Sequence, residues 1–177
     1  AKPATANGGF GPLSFLPFRS GPPVATYLLD APLPHGLPVI LDTNVVSEPL
    51  KPSPDQGVVN WLNAQAPATL FLTAINIAEL MSGVQAMPQG KRRDALSHAV
   101  STQISVLFER RILSFDAKAA EAFAICYANA QAQGKPIAFA DCAIAAIAKA
   151  NGFIVATRNV RDFQATGVDI INPWALN

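Results

Sequence analysis

The sequence predicts an α/β protein, a three-layer α/β/α sandwich built on a central, mainly parallel sheet. Three observations carry that expectation. Short apolar runs such as Val39-Ile40-Leu41 and Phe153-Ile154-Val155-Ala156-Thr157 alternate with longer helical stretches, the order that parallel pairing through right-handed crossovers produces. Hydrophobic residues make up 50% of the 177 positions, enough for one sizeable core and cramped for two. The first apolar run also ends on a carboxylate, Asp42, and open α/β sheets bind their ligands beyond the carboxyl ends of strands.

Residues 1–38 hold eight of the fifteen prolines and five of the eleven glycines. Without helical or strand periodicity they read as a flexible Pro/Gly-rich extension, with the folded domain at 39–177. Its apolar side chains, Phe10, Phe15, Phe18, Tyr27, Leu28 and Leu29, leave open a docking on the folded part. The chain starts with Ala, and residues 1–36 are expected to be translated upstream or appended sequence, with the biological start near Leu37. An N-terminal peptide of the natively expressed protein beginning upstream of Leu37 would overturn this.

The elements then follow in order. A strand at 39–41 leads into a helix after Asp42, disturbed near Pro49 because proline lacks the amide that a helix interior needs. A helix at 58–65 carries Trp61 and Leu62, and a strand follows at 70–73. Helices are expected over 74–84 and 91–108, the second with Leu96, Val100, Ile104 and Leu107 spaced along one face. After a short strand at 112–113, Asp116 has the place of an N-cap for an alanine-rich helix ending before Gly134. A helix opened by Asp141 and closed by Asn151-Gly152, a strand at 153–157 and a final strand at 168–171 complete the chain. No internal repeat or low-complexity segment follows residue 38.

Composition narrows the chemistry. A net charge of +1 gives no global pull on nucleic acid, so any such binding must rest on a local patch. Cys126 and Cys142 lie in apolar helical contexts without CxxC spacing, as small buried side chains in a reducing, cytoplasmic setting. His35 and His98 lack ligand-like neighbours, which argues against a zinc site or a histidine-based catalytic pair. No stretch reaches the ~20 apolar residues of a membrane span, and the prolines and glycines of the first segment interrupt any secretory signal.

Carboxylates remain. Charged residues are only 14% of the chain and acids number 12, yet Asp42, Glu79, Asp141 and Asp162 all adjoin apolar segments. Burying an unpaired carboxylate costs on the order of several kcal/mol. Converging acids at a sheet's end therefore suggest a hard divalent cation, Mg²⁺ or Mn²⁺. Each acid has a plainer reading too. Asp42 and Asp141 stand at helix starts, where a carboxylate caps free amides, worth about 1 kcal/mol. Glu79 lies inside a helix and would otherwise be a solvent-facing residue. The run Lys91-Arg92-Arg93 is read as a solvated helix face before a nucleic-acid patch.

Asp42-Thr43-Asn44-Val45 after the first strand, helical Glu79, Ala140-Asp141-x-x-Ile144-Ala145-Ala146-x-Ala148, and Thr157-Arg158-Asn159-x-x-Asp162-Phe163 together resemble the PIN-domain ribonucleases, and within them the VapC-type toxins of bacterial toxin-antitoxin pairs. The resemblance covers about residues 38 to 175. It implies an Mg²⁺- or Mn²⁺-dependent endoribonuclease, a homodimer, and a small antitoxin partner whose C-terminal segment occupies the active-site groove. Carried over by residue, Asp42, Glu79 and Asp141 would hold the metal. Many relatives have an acid where this chain has Asn159; Asp162 would supply that charge or only cap the next turn. Asn44, Thr157 and Asn159, with Thr43, would support the carboxylates. Arg158 and Arg161 would bind RNA phosphate or, alternatively, neutralise the acids. Exposed helix faces near Trp61, Leu62 and Met81 would suit a partner, or be core.

Two other enzyme classes fit less well. A haloacid dehalogenase phosphatase needs a second carboxylate two residues after the first, where Asn44 stands, and a receiver domain wants a lysine where Thr157-Arg158 stand. The alternative that survives is a catalytically weak or inactive PIN fold used as a binding module.

Overall fold

The computed structural model describes residues 37–176; the expectations for the extension upstream of Leu37 lie outside the described residues. Five strands, β1 (Val39–Leu41), β2 (Leu70–Thr73), β3 (Ile112–Leu113), β4 (Ile154–Ala156) and β5 (Ile170–Ile171), form one sheet in the order β3-β2-β1-β4-β5. Every pair is parallel, with Val39 opposite both Leu70 and Ile154. The order runs outward in both directions from β1, so the switch point lies where Asp42 leaves the sheet.

The helices are α1 (Thr43–Val46), α2 (Gln56–Ala64), α3 (Ala74–Gln85), α4 (Lys91–Phe108), α5 (Ala117–Ala132), α6 (Phe139–Asn151) and α7 (Val160–Thr166). Strand alternation sorts them into two layers. Val39, Leu41, Leu70 and Leu72 point to one face and pack with Val45, Val58, Trp61, Leu62 and Phe108 of α1, α2 and α4. Ile40 and Val155 point to the other, against Ala119 and Cys126 of α5, Cys142, Ile144, Ala145 and Ile147 of α6 and Phe163 of α7. Trp61 and Leu62, read from sequence as either a partner surface or core, are core: Leu62 is fully buried and Trp61 only 9% exposed. They point inward because α2 packs its apolar stripe on the sheet. Cys126 and Cys142 are both buried and free.

Pro49 does end the regular helix: α1 stops at Val46 and Glu48–Leu50 continue as a 3-10 turn. Asp116 caps α5, accepting from the Ala119 amide at 2.9 Å. Gly152 closes α6 at φ +70, left-handed backbone that an L residue adopts only at a cost. Asp141, in contrast, does not open α6. The helix begins two residues earlier at Phe139, with Ala138 as its N-cap and no side-chain cap bond, so the Asp141 carboxylate is left for another task. The last two strands are shorter than expected, Ile154–Ala156 and Ile170–Ile171. Among the described residues no helix is long and apolar enough to cross a membrane.

Candidate active site

At the carboxyl edge of the sheet, β1 delivers Asp42 almost wholly buried, 3% exposed. One oxygen, Oδ1, accepts from the Thr43 amide at 2.7 Å, which is the helix-capping role anticipated for it. The other accepts the Thr157 hydroxyl at 2.7 Å and the Asn44 amide at 2.5 Å. Burial pushes the Asp42 carboxyl above its ordinary value; the hydrogen bonds from Thr157 and the Thr43 amide oppose that, and the nearby charge of Glu79 adds to it.

Glu79 is half-buried on α3, not solvent-facing, and its Oε2 accepts the Thr43 hydroxyl at 2.5 Å. Thr43 is in turn gripped by Asn76, whose Nδ2 donates to that hydroxyl at 3.0 Å. Asn76 is fully buried and forms a capping box with Thr73: its Oδ1 accepts from the Thr73 amide and hydroxyl, and its own amide donates to the Thr73 hydroxyl. Sequence reasoning passed over Asn76. The pattern Thr73-x-x-Asn76, a cap followed by a polar residue at the third helical position, was the signal that could have found it.

A second relay runs from β4. Thr157, buried at 0% exposure, gives its proton to Asp42 and accepts from the Asn159 amide at 2.9 Å. The Asn159 side chain then donates to Asp141 Oδ2 at 3.1 Å. Asp141 is raised from 3.8 to about 6, first by burial, then by the charges of Asp42, Glu79 and Asp162, with the Asn159 bond opposing. Those three acids therefore lie near enough to Asp141 for their charges to act on it. Asp162 sits in the first turn of α7, partly buried.

Among the described residues no group of three or more acidic, histidine or cysteine side chains stands ready to hold an ion. Each carboxylate is drawn toward its own donor: Glu79 to Thr43, Asp42 to Thr157 and Asn44, Asp141 to Asn159. Mutual repulsion favours that separation. The donor set itself, three hard carboxylates of which Asp42 and Asp141 are raised above their ordinary value chiefly by burial, fits Mg²⁺ or Mn²⁺.

The two arginines separate. Arg161 is exposed and has no ionic partner among the described residues. Arg158 is anchored at its backbone, whose amide donates to Asn44 Oδ1 at 3.2 Å, and its guanidinium lies over the Trp174 ring, 5.3 Å from the centroid. No acid lies within 4.0 Å of that guanidinium among the described residues. Asn44 thus touches Asp42, Thr157 and the Arg158 backbone at once. Lys91 and Arg92, at the start of α4, are exposed, in keeping with a solvated face.

Comparison with known proteins identifies the family. The sequence model of the PIN domain matches residues 39–168. The chain is 46% identical over 136 residues to the plasmid stability protein StbB of Pseudomonas syringae pv. tomato, covering 77% of this chain and 98% of that protein. It is equally identical to the VapC ribonuclease Y4jK of Sinorhizobium fredii, with 77% and 97% covered. The crystal structure of FitAcB from Neisseria gonorrhoeae superposes with a TM-score of 0.75 at 43% identity, over 78% of this chain and 99% of that one. With the parallel sheet, its switch point at Asp42 and the acids gathered there, these matches establish that the chain belongs to the PIN-domain family.

Proposed function

We propose that this protein is a divalent-metal-dependent endoribonuclease and the toxin of a toxin-antitoxin pair. The observation that carries the chemistry is the group of buried and half-buried acids at the switch point, with Asp42 and Asp141 both pushed above the ordinary carboxylate range. Crowded carboxylates that resist ionisation are stabilised by a cation, and family likeness supports the reaction: one relative at 46% identity is named a VapC ribonuclease, and another, at 43%, is toxin FitB.

Asp42, Glu79 and Asp141 would hold Mg²⁺ or Mn²⁺. Bound there, such an ion supplies an activated water and offsets charge on the leaving 3′ oxygen. The rest falls to the chain. Thr157 and Asn44 hold the Asp42 carboxylate, Thr43 backed by Asn76 tethers Glu79, and Asn159 steadies Asp141. Asp162 contributes charge from behind, and Arg158 and Arg161 meet substrate phosphate. Asn159, which in sequence left room for an inactive binding module, here donates to an acid and keeps it oriented. The partners proposed are RNA, a second copy of the chain and a cognate antitoxin.

The test is incubation of a panel of structured RNAs, transfer RNA included, with purified protein in Mg²⁺ or Mn²⁺, in EDTA, and with Asp42→Ala. Metal-dependent cutting lost in the variant is expected. No cutting, together with no metal binding by calorimetry, would leave a PIN-fold binding module.

A further inference from the structure

We propose that Trp174 is the positioning residue of the phosphate arm: its indole face holds the Arg158 guanidinium ready for a phosphodiester of the RNA strand instead of leaving it to pair with the acids. This rests on the nuclease reading. Arg158 follows Thr157 directly, and Thr157 bonds Asp42. An arginine next in sequence to a residue that bonds Asp42 could find an electrostatic sink in the acids, because an ion pair relieves the repulsion among carboxylates. The guanidinium nevertheless lies over Trp174, at 5.3 Å from the ring centroid.

Trp174 is built to be a fixed platform. It follows β5 in a short 3-10 turn, Pro173–Ala175, closed by Asn172, whose Oδ1 accepts the Trp174 amide at 3.1 Å and whose carbonyl accepts the Ala175 amide at 3.0 Å. Its ring is half-buried and packs against the core face formed by β1, α1 and α2. The Arg158 backbone is fixed from the other side by Asn44 Oδ1. An arginine held at its backbone by one residue and at its head by an aromatic face keeps its N–H donors unspent, and a planar guanidinium suits a phosphate's paired oxygens. A stacked guanidinium can also keep its ring contact while its edge bonds an anion. The platform therefore prepays the side-chain entropy that a loose arginine loses on binding.

The experiment compares wild type, Trp174→Leu, Trp174→Phe, Arg158→Ala and the double variant Trp174→Leu/Arg158→Ala in two assays. The first is steady-state cleavage of a cut RNA in Mg²⁺ or Mn²⁺. Trp174→Leu is expected to raise KM by about two- to fivefold, the size of an exposed cation–π contact, with kcat unchanged; Trp174→Phe, which keeps an aromatic face, recovers most of the loss. The double variant is expected to be no worse than Arg158→Ala alone. The second is equilibrium binding of a single-stranded RNA oligonucleotide in EDTA across a salt series. Here Arg158→Ala and Trp174→Leu should each lower the slope of log K against log salt by about 0.7, one phosphate contact. Thermal melting of every variant checks folding, and Trp174→Met, which also removes the aromatic face, takes the place of Trp174→Leu if that variant fails to fold. Additive losses in the double variant, a fall in kcat at unchanged KM, or a wild-type salt slope in Trp174→Leu beside a reduced one in Arg158→Ala would each overturn the proposal. RNA bound but never cut would sink the nuclease reading while the salt slopes still decide the role of Trp174; absence of RNA binding in wild type would sink both.

Discussion

Asp141 carries a pH signature that can be measured without substrate. Its carboxyl is raised from 3.8 to about 6 in the folded protein. A raised carboxyl binds its proton more tightly folded than unfolded, so its contribution to stability is fully present below 3.8 and is lost as pH rises through about 6. Metal-free protein, unfolded with urea in EDTA at a series of pH values, is expected to lose part of its stability across that interval. Asp141→Asn removes both the titration and the repulsion on Asp42 and Glu79, so it flattens the interval and stabilises the metal-free protein at neutral pH while abolishing cleavage. A variant as steep as wild type would show that Asp141 is not the source. Individual residues were unevenly legible. Asp42 and Glu79 stood out because a carboxylate inside an apolar segment needs a reason. Asn76 did not, because an amide near a helix start has many uses, and only the fold brings its Nδ2 to Thr43.

Element ends are where local sequence speaks most directly. The Asp116 cap on α5 was legible because an acid before an alanine-rich run satisfies an otherwise open amide, and it does so at Ala119. Asp116→Ala is expected to cost about 1 kcal/mol by chemical denaturation, with RNA cleavage unchanged. Gly152 offers a complementary test. Nothing lies within 4 Å of a Cβ added there, and its φ is +70, so Gly152→Ala meets no clash and pays only for the left-handed backbone, about 1 kcal/mol. A much larger loss would mean that the αL turn has more to do than close α6. The start of α6 was misread for a physical reason. Phe139 opens α6 behind an uncapped Ala138, and an acid near a helix start cannot reveal from sequence whether it caps or reaches outward.

At the scale of the molecule, the proposed metal site would couple cation binding to stability. The charges of Asp42, Glu79 and Asp162 act on Asp141, so a cation bound to the folded form alone would shift the unfolding equilibrium. With Mg²⁺ or Mn²⁺ at about a hundred times its dissociation constant, the thermal midpoint at neutral pH is expected to rise by roughly 5–10 °C, and the rise should vanish in Asp42→Ala. An unchanged midpoint at saturating metal would remove the acids as ligands. The sequence by itself determined the class of the fold, nearly every element and the four acids, because strand and helix periodicity and the cost of burying a carboxylate act within a segment. Only the tertiary structure decided the strand order β3-β2-β1-β4-β5, the inward turn of Trp61 and Leu62, the Thr73-Asn76-Thr43-Glu79 relay and the seat of Arg158 on Trp174. Those contacts join segments far apart in the chain, and which distant segments meet is settled by how whole layers pack, a property that no single stretch of residues encodes.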